Sequence, residues 1–169
     1  MRVLHVGCGG DPLPAFFGTE PQETRLDIDE TYAPDIVGSM VDLGDIGPFD
    51  AIYSSHSLEH LYPHDVDTAL GEFYRVLTPG GKVLVIVPDL EGVTADLRVL
   101  YESPAGPICG RDMVYGKTSM LKDSPYMAHK TGFVKATLER ALREAGFSIA
   151  LGIRANDYQL VAIGIKGAE

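Results

Sequence analysis

Short apolar and β-branched runs recur along the chain and predict seven strands. The run at 82–87 is continuously apolar, which is typical of a central strand covered on both faces. A turn at 155–157 separates the last two strands. The predicted strands are residues 3–6, 24–28, 35–38, 49–54, 82–87, 148–153 and 159–165.

Two segments carry the apolar spacing of amphipathic helices. Residues 66–77 place their apolar side chains on one face and end at the turn-forming sequence 78–81. Residues 133–145 carry a second apolar stripe, which Gly146 ends as a C-terminal cap. Because strands alternate with helical segments, the sequence predicts an α/β fold. We expect a Rossmann-like three-layer sandwich around a seven-stranded, mostly parallel sheet with an antiparallel C-terminal strand.

The stretch 103–130 shows neither the alternation of a strand nor the apolar spacing of an amphipathic helix. It contains three prolines, yet it also carries tyrosines and methionines, in which disordered segments are poor. Long irregular stretches inside a domain are usually functional loops. We therefore expect one domain over 1–169, with 103–130 as an irregular lid or substrate-binding insertion.

Composition narrows the classes of function. The chain has 24 acidic and 14 basic residues, a net charge of −10, and 45% hydrophobic residues. That acidity disfavours nucleic-acid binding, which needs clustered lysine and arginine. No apolar run approaches about 18 residues, so no membrane span is expected. The chain enters a strand pattern at once, so we expect no secretory signal and a cytoplasmic location.

The first predicted strand runs directly into a glycine-rich turn, Gly7-Cys8-Gly9-Gly10. Glycines permit a positive φ and let a ligand lie against bare backbone. Asp27 follows at the end of the second strand, where a carboxylate can accept both hydroxyls of a ribose. Pro12 and Pro14 prevent a long helix from starting under the turn, which disfavours a pyrophosphate ligand. A nucleoside without phosphates is the predicted ligand.

Four segments in this order resemble the class I S-adenosylmethionine-dependent methyltransferases. They are residues 3–10, 25–29, 49–61 and 73–82. Residues 129–133 and 144–147 are similar to a bacterial subgroup of that family with a shortened first helix. The resemblance implies S-adenosyl-L-methionine as the cofactor and methyl transfer to a small-molecule acceptor.

The resemblance also implies which residues hold the cofactor. The glycine turn would line its methionine part, and Asp27 would bind the ribose with Ile28 or Asp29 beside it. Residues 39–41 would flank the adenine, and residues 55 and 56 would close the site. The implied set is Gly7, Cys8, Gly9, Asp27, Ile28, Ser39, Met40, Val41, Ser55 and His56.

Two departures from the family's sequence pattern and one sequence motif suggest alternative functions. His5 stands where the family usually has an acid, and Ser39 stands where an aspartate is frequent. These departures suggest a catalytically weak cofactor-binding module that acts as a partner subunit. Residues 56–60 match the zinc-peptidase string H-x-x-E-H, which suggests a zinc hydrolase using His56 and His60. Pro63 follows closely, and we expect no metal there.

Methyl transfer needs orientation, and a hydroxyl acceptor also benefits from a general base. His129 and His56 are the candidate catalytic residues, because histidine titrates near neutral pH. Residues 111–143 hold seven basic and three acidic residues in this acidic chain. We expect four of the bases, Arg111, Lys117, Lys122 and Lys130, to lie in a lid over the cleft. The acceptor would then be small and anionic. A homodimer is a possible assembly.

Overall fold

The computed structural model describes residues 1–155 and 158–168, and nine strands lie within them. The first five are β1 (Arg2–Val6), β2 (Gln22–Asp27), β3 (Ile36–Val37), β4 (Phe49–Ser55) and β5 (Leu77–Pro88). The remaining four are β6 (Val99–Ser103), β7 (Gly106–Cys109), β8 (Ile149–Ala155) and β9 (Gln159–Ile165).

Seven of these strands form one sheet in the order β3-β2-β1-β4-β5-β9-β8. β9 pairs antiparallel with both of its neighbours, and the other pairs are parallel. The predicted α/β class and the predicted antiparallel C-terminal strand are therefore confirmed. The predicted turn at 155–157 includes residues outside the described part of the chain.

Two helices cover one face of the sheet, α1 (Pro63–Val76) and α3 (Lys135–Glu144). Proline suits the first turn of α1, because the backbone N–H it lacks would have no partner there. The side chains that α1 and α3 bury against the sheet include Leu70, Phe73, Leu138 and Leu142. Burial of each stabilises the fold by about 1.5–3 kcal/mol. This face forms the main hydrophobic core.

The opposite face is covered more thinly. Val3, Ala51 and Tyr53 are buried beneath Leu13 and Phe17. Phe17 belongs to a 3-10 turn, Ala15–Phe17, and Leu13 lies just before it. This turn follows the glycine-rich turn in place of a long first helix. The predicted effect of Pro12 and Pro14 agrees with this local structure.

At the far edge of that thin face, β8 carries a row of half-exposed apolar side chains. Ile149, Leu151 and Ile153 are 52%, 51% and 53% exposed. Residues that pair directly across a sheet point to the same face. Leu151 pairs with Ile163, and Ile163 pairs in turn with Leu84, which packs on the thinly covered face. The apolar row therefore lies on the side away from α1 and α3.

Two local predictions are corrected by the structure. Residues 78–81 were predicted as a turn but belong to β5. They bulge out of the sheet, because the pairing of β4 with β5 passes directly from Phe49–Leu77 to Ala51–Lys82. The stretch 103–130 is not irregular throughout. Together with the residues before it, it contains the β6–β7 hairpin and the short helix α2 (Gly110–Tyr115). No described helix combines the length and the apolar composition needed to cross a bilayer.

Candidate active site

The carboxyl ends of β1, β2 and β4 meet at one edge of the sheet, because these parallel strands are neighbours in near-register. A cleft of about 470 Å³ opens there, which we call the cofactor cleft. Nine of the ten residues that the family resemblance implies for the cofactor line it. Val41 does not, since its side chain packs against the hydrophobic core. The lining residues from that set are Gly7, Cys8, Gly9, Asp27, Ile28, Ser39, Met40, Ser55 and His56.

Gly7 and Gly9 both have positive φ, 62° and 47°, but different surroundings. A Cβ at Gly7 would lie 2.2 Å from the Ser57 Oγ. No described atom would lie within 4 Å of a Cβ at Gly9, which faces open space in the cleft. Packing therefore requires glycine at position 7, whereas position 9 leaves room for a ligand.

Asp27 holds the glycine turn in place. Its side-chain Oδ2 accepts from the Gly9 N–H at 2.8 Å, and its Oδ1 accepts from the Asp29 N–H at 2.9 Å. The residue is only 9% exposed and lines the cleft. Each carboxylate oxygen can accept more than one hydrogen bond, so both retain capacity for ligand hydroxyls.

Arg25 is a second support of the turn that the sequence analysis missed. Its guanidinium donates to the Gly9 carbonyl at 2.6 Å and to the Asp11 carbonyl at 3.2 Å. His5 instead pairs with Glu23, with 2.8 Å between Nδ1 and Oε1. The sequence could have indicated that Arg25 lies near the turn. Residues two apart on a strand share a face, and Asp27 lies two residues after Arg25.

Cys8 lines the cleft as an apolar surface. Its side chain is 1% exposed, and burial raises the pKa of the Cys8 thiol, so the group is neutral at pH 7. A buried neutral thiol behaves as a small hydrophobic group.

Residues far along the chain reach the same cleft. The Tyr126 hydroxyl donates to Asp29 Oδ2 at 2.8 Å, across 97 positions of sequence. Hydrogen bonds from Thr31 and then from Tyr126 lower the pKa of Asp29, and the bond to Asp29 raises the pKa of Tyr126. Tyr126, Met127 and Lys130 line the cleft beside Asp27. The second half of the 103–130 stretch therefore contributes a wall of the cofactor cleft.

A second cavity of about 480 Å³ adjoins the cleft, and we call it the adjoining pocket. His56, His60 and Met127 line both cavities. Its other walls come from the 3-10 turn Leu58–His60, the β6–β7 hairpin and α2. His56 has a positive φ of 51°, which is unusual for a residue other than glycine and is often seen at functional sites.

His129, one of the two predicted catalytic residues, lies in the adjoining pocket. Its Nδ1 is 2.8 Å from the Met113 carbonyl, and the Nδ1 of His60 is 3.3 Å from the Ala128 carbonyl. A carbonyl only accepts, so each Nδ1 carries a proton and donates it. Burial lowers the pKa of His129, so its imidazole is neutral at pH 7.

The four basic residues predicted for a lid separate into two pairs. Lys117 lines the adjoining pocket and Lys130 lines the cofactor cleft. Arg111 and Lys122 line neither cavity, and Arg111 donates to the Thr118 hydroxyl at 3.0 Å. Only half of the predicted basic group is thus placed to meet a ligand.

The H-x-x-E-H string does not form the helix that a zinc peptidase needs. His56 follows the end of β4, and His60 lies in the 3-10 turn Leu58–His60. The two histidines are therefore not one turn apart on a helix, which is the arrangement that the peptidase string requires.

Comparisons with known proteins agree with this architecture. A family model described as a methyltransferase domain matches residues 4–85. No curated protein sequence matches the chain. Many solved structures share its fold, and three of them serve as examples.

An S-adenosylmethionine-dependent methyltransferase from Mesorhizobium loti is 18% identical, with a TM-score of 0.67 over 98% of this chain and 90% of that one. Burkholderia thailandensis 1,6-didemethyltoxoflavin-N1-methyltransferase, solved with 1,6-didemethyltoxoflavin and S-adenosylhomocysteine, is 17% identical, with a TM-score of 0.63 over 98% and 71%. A methyltransferase from Clostridium acetobutylicum is 9% identical, with a TM-score of 0.68 over 98% and 84%.

At these identities the structural likeness establishes the fold, and the family model establishes which proteins of that fold the chain resembles in sequence. The matched residues include the glycine turn, β2 with Asp27, and the end of β4 with His56, which are the parts that build the cofactor cleft. Residues 4–85 are similar to methyltransferase domains, and the chain has the fold of the S-adenosylmethionine-dependent methyltransferases named above.

Proposed function

We propose that this protein binds S-adenosylmethionine in the cofactor cleft and transfers its methyl group to a small molecule in the adjoining pocket. One observation carries the proposal: the two cavities share His56, His60 and Met127 as walls. A methyl donor in one cavity and an acceptor in the other would meet at these residues. Holding both in one geometry is the main source of rate for such a displacement.

The contacts of the cleft support the cofactor roles that the family resemblance implies. The Gly7–Gly9 turn would cradle the methionine part, with the open space at Gly9 as the point of closest approach. Asp27 would accept the ribose hydroxyls with its remaining lone pairs. Ser39 and Met40 would flank the adenine.

The transfer needs no nucleophile from the protein. The acceptor atom forms a bond to the methyl carbon while the carbon–sulfur bond breaks, and its electron pair stays on sulfur as S-adenosylhomocysteine forms. If the acceptor is a hydroxyl, its proton must leave. The two candidate bases are His129, a neutral imidazole in the adjoining pocket, and His56, at the boundary of the two cavities.

We propose a small anionic acceptor. Lys117 and Lys130 support it, one in each cavity. Three carboxylates, Glu59, Glu102 and Asp112, also line the adjoining pocket and would repel an anion unless they are neutralised. The segment 103–130 would act as the lid of this single domain, because its residues line both cavities.

Calorimetry with S-adenosylhomocysteine tests the cofactor site, and mass spectrometry of incubations with S-adenosylmethionine tests turnover. The acceptor panel would contain small hydroxy acids, amino acids and sugar phosphates. We expect saturable binding with one ligand per chain and a product heavier by one methylene unit for at least one acceptor. Absence of cofactor binding would overturn the proposal. Binding without turnover on any acceptor would favour the cofactor-binding module that acts as a partner subunit.

Assembly and location stay predictions. A homodimer would cover the apolar row on β8, and light scattering would measure it. A cytoplasmic location is consistent with two cysteines that are both free thiols, Cys8 and Cys109.

A further inference from the structure

Glu59 is a buried carboxylate for which the transfer reaction has no use. Its side chain is 2% exposed, and its Oε2 has no hydrogen-bond partner among the described residues. Its Oε1 lies 3.4 Å from the Nδ1 of His56. Burying a carboxylate oxygen without a partner is costly, so such an atom indicates a ligand that the protein is built to hold.

Two histidines lie beside this carboxylate. One donor atom from each of Glu59, His60 and His129 lies within 4.8 Å of the other two. Both histidines donate their Nδ1–H to backbone carbonyls, of Ala128 and Met113 respectively. Metal-binding histidines usually have this arrangement, in which the hydrogen bond fixes the ring and leaves the other nitrogen free to coordinate.

We propose that Glu59, His60 and His129 bind a divalent transition-metal cation in the adjoining pocket. Two imidazoles and one carboxylate suit such ions and leave coordination positions open for other ligands. Ligand atoms of a tetrahedral site at about 2.1 Å from the ion are about 3.4 Å apart. The three donor atoms lie within 4.8 Å of one another, so binding would draw the side chains together around the ion.

The cation would also explain how a pocket lined by three carboxylates accepts an anion. Its charge would neutralise Glu59, and its open positions would take an oxygen of the acceptor. A hydroxyl bound to a divalent cation loses its proton more easily, which prepares the oxygen to attack the methyl carbon. The hydroxyl proton would pass to His56 or to water, since the Nε2 of His129 would be occupied. This catalytic role rests on the proposed function, whereas the cation site does not.

The test is a titration of the untagged protein with Co²⁺, followed by its visible absorption bands, which report nitrogen and oxygen coordination without any turnover. The variants are Glu59→Gln, which keeps the shape of the side chain, and His129→Asn, which keeps a donor for the Met113 carbonyl. His64→Asn is the matched control, because His64 has a 79% exposed side chain outside the cluster. Circular dichroism checks that each variant is folded.

We expect one Co²⁺ per chain in the unaltered protein and in His64→Asn. Each of the two cluster variants should bind Co²⁺ at least about tenfold more weakly, since even residues that only orient metal ligands cost that much. If Glu59→Gln does not fold, the His129→Asn variant decides alone. Unaltered protein that binds no Co²⁺, or binds it equally well after His129→Asn, would overturn the proposal.

Calorimetry with S-adenosylhomocysteine on the same preparations separates this proposal from the proposed function. Cofactor binding without Co²⁺ binding would overturn the cation site and leave the methyltransferase proposal standing. Co²⁺ binding without cofactor binding would support the cation site and count against the proposed function.

Discussion

The two cavities differ in how the chain builds them. The cofactor cleft is made largely of backbone and short side chains at the ends of three neighbouring strands, within residues 7–57. The adjoining pocket is made of side chains from residues 56–60, 88, 101–129 and 159. Local turns fix the first, and long-range packing fixes the second. The proposed cofactor site therefore draws mainly on compact sequence segments, with one wall from residues 126–130, whereas the proposed acceptor site depends on the tertiary fold.

The strongest test of a backbone-built cleft is the substitution Gly9→Val. A side chain there would fill the space in which the ligand must approach, at a φ of 47° that disfavours any Cβ. We expect binding of S-adenosylhomocysteine to be lost in calorimetry. The fold should lose only about 1–3 kcal/mol of stability.

Gly44→Val is the matched control for that variant. Gly44 has a φ of 61°, its Cβ would also meet no described atom within 4 Å, and it does not line the cofactor cleft. It carries the same backbone strain without the steric block. If both variants bind equally well, the glycine turn is not the cofactor site.

The substitution His129→Asn should show that the two cavities act separately. With an acceptor from the turnover screen, we expect the rate to fall by about 10²–10⁴, whether His129 takes the acceptor proton itself or holds the proposed cation that acidifies the hydroxyl. Affinity for S-adenosylhomocysteine should stay within about twofold, because His129 lines only the adjoining pocket. A large loss of cofactor affinity would show that the cavities are not independent.

Asp27→Ala should weaken binding of S-adenosylhomocysteine by at least about tenfold, since hydrogen bonds to a charged acceptor contribute about 1.5–3 kcal/mol each. The variant removes two kinds of contact, the predicted bonds to the ribose and the observed bonds from the Gly9 and Asp29 N–H groups. Asp27→Asn separates them partly, because it keeps one oxygen acceptor. Calorimetry should rank the affinities as unaltered protein, then Asn, then Ala, and equal affinity for all three would contradict the assignment.

The sequence predicted the cofactor cleft better than the adjoining pocket, for physical reasons. Glycines after a strand and an acid after the next strand leave a local pattern, and nine of the ten residues that the family resemblance implies for the cofactor line the cleft. The β6–β7 hairpin was missed because Pro107 lies within β7, and proline normally argues against a strand. The six residues of α2 are too few to show a helical period.

Contacts between distant segments were also beyond the sequence patterns. The hydrogen bond from Tyr126 to Asp29 joins positions 97 residues apart, and no local period encodes it. The placement of Glu59 beside His129 is of the same kind, because it depends on how the segment after α2 returns to the 3-10 turn at 58–60. The string H-x-x-E-H raised the alternative of a zinc hydrolase, for which no metal was expected, and the structure does not form the helix that this string requires.

The hydrogen bond between Tyr126 and Asp29 gives the smallest expected effect, because it links the two regions at an exposed position. Tyr126→Phe removes the hydroxyl and keeps the ring that lines the cleft. Interactions between exposed groups contribute little, so affinity for S-adenosylhomocysteine should fall by less than about fivefold. The same change should raise the pKa of Asp29, since the tyrosine hydrogen bond favours the ionised carboxylate. Calorimetry measures the first effect and a carboxyl NMR titration the second, with Tyr115→Phe as the control. An unchanged Asp29 pKa would show that this contact does not persist in solution, and the wall formed by 125–130 would then not be held closed against the ribose end of the cleft.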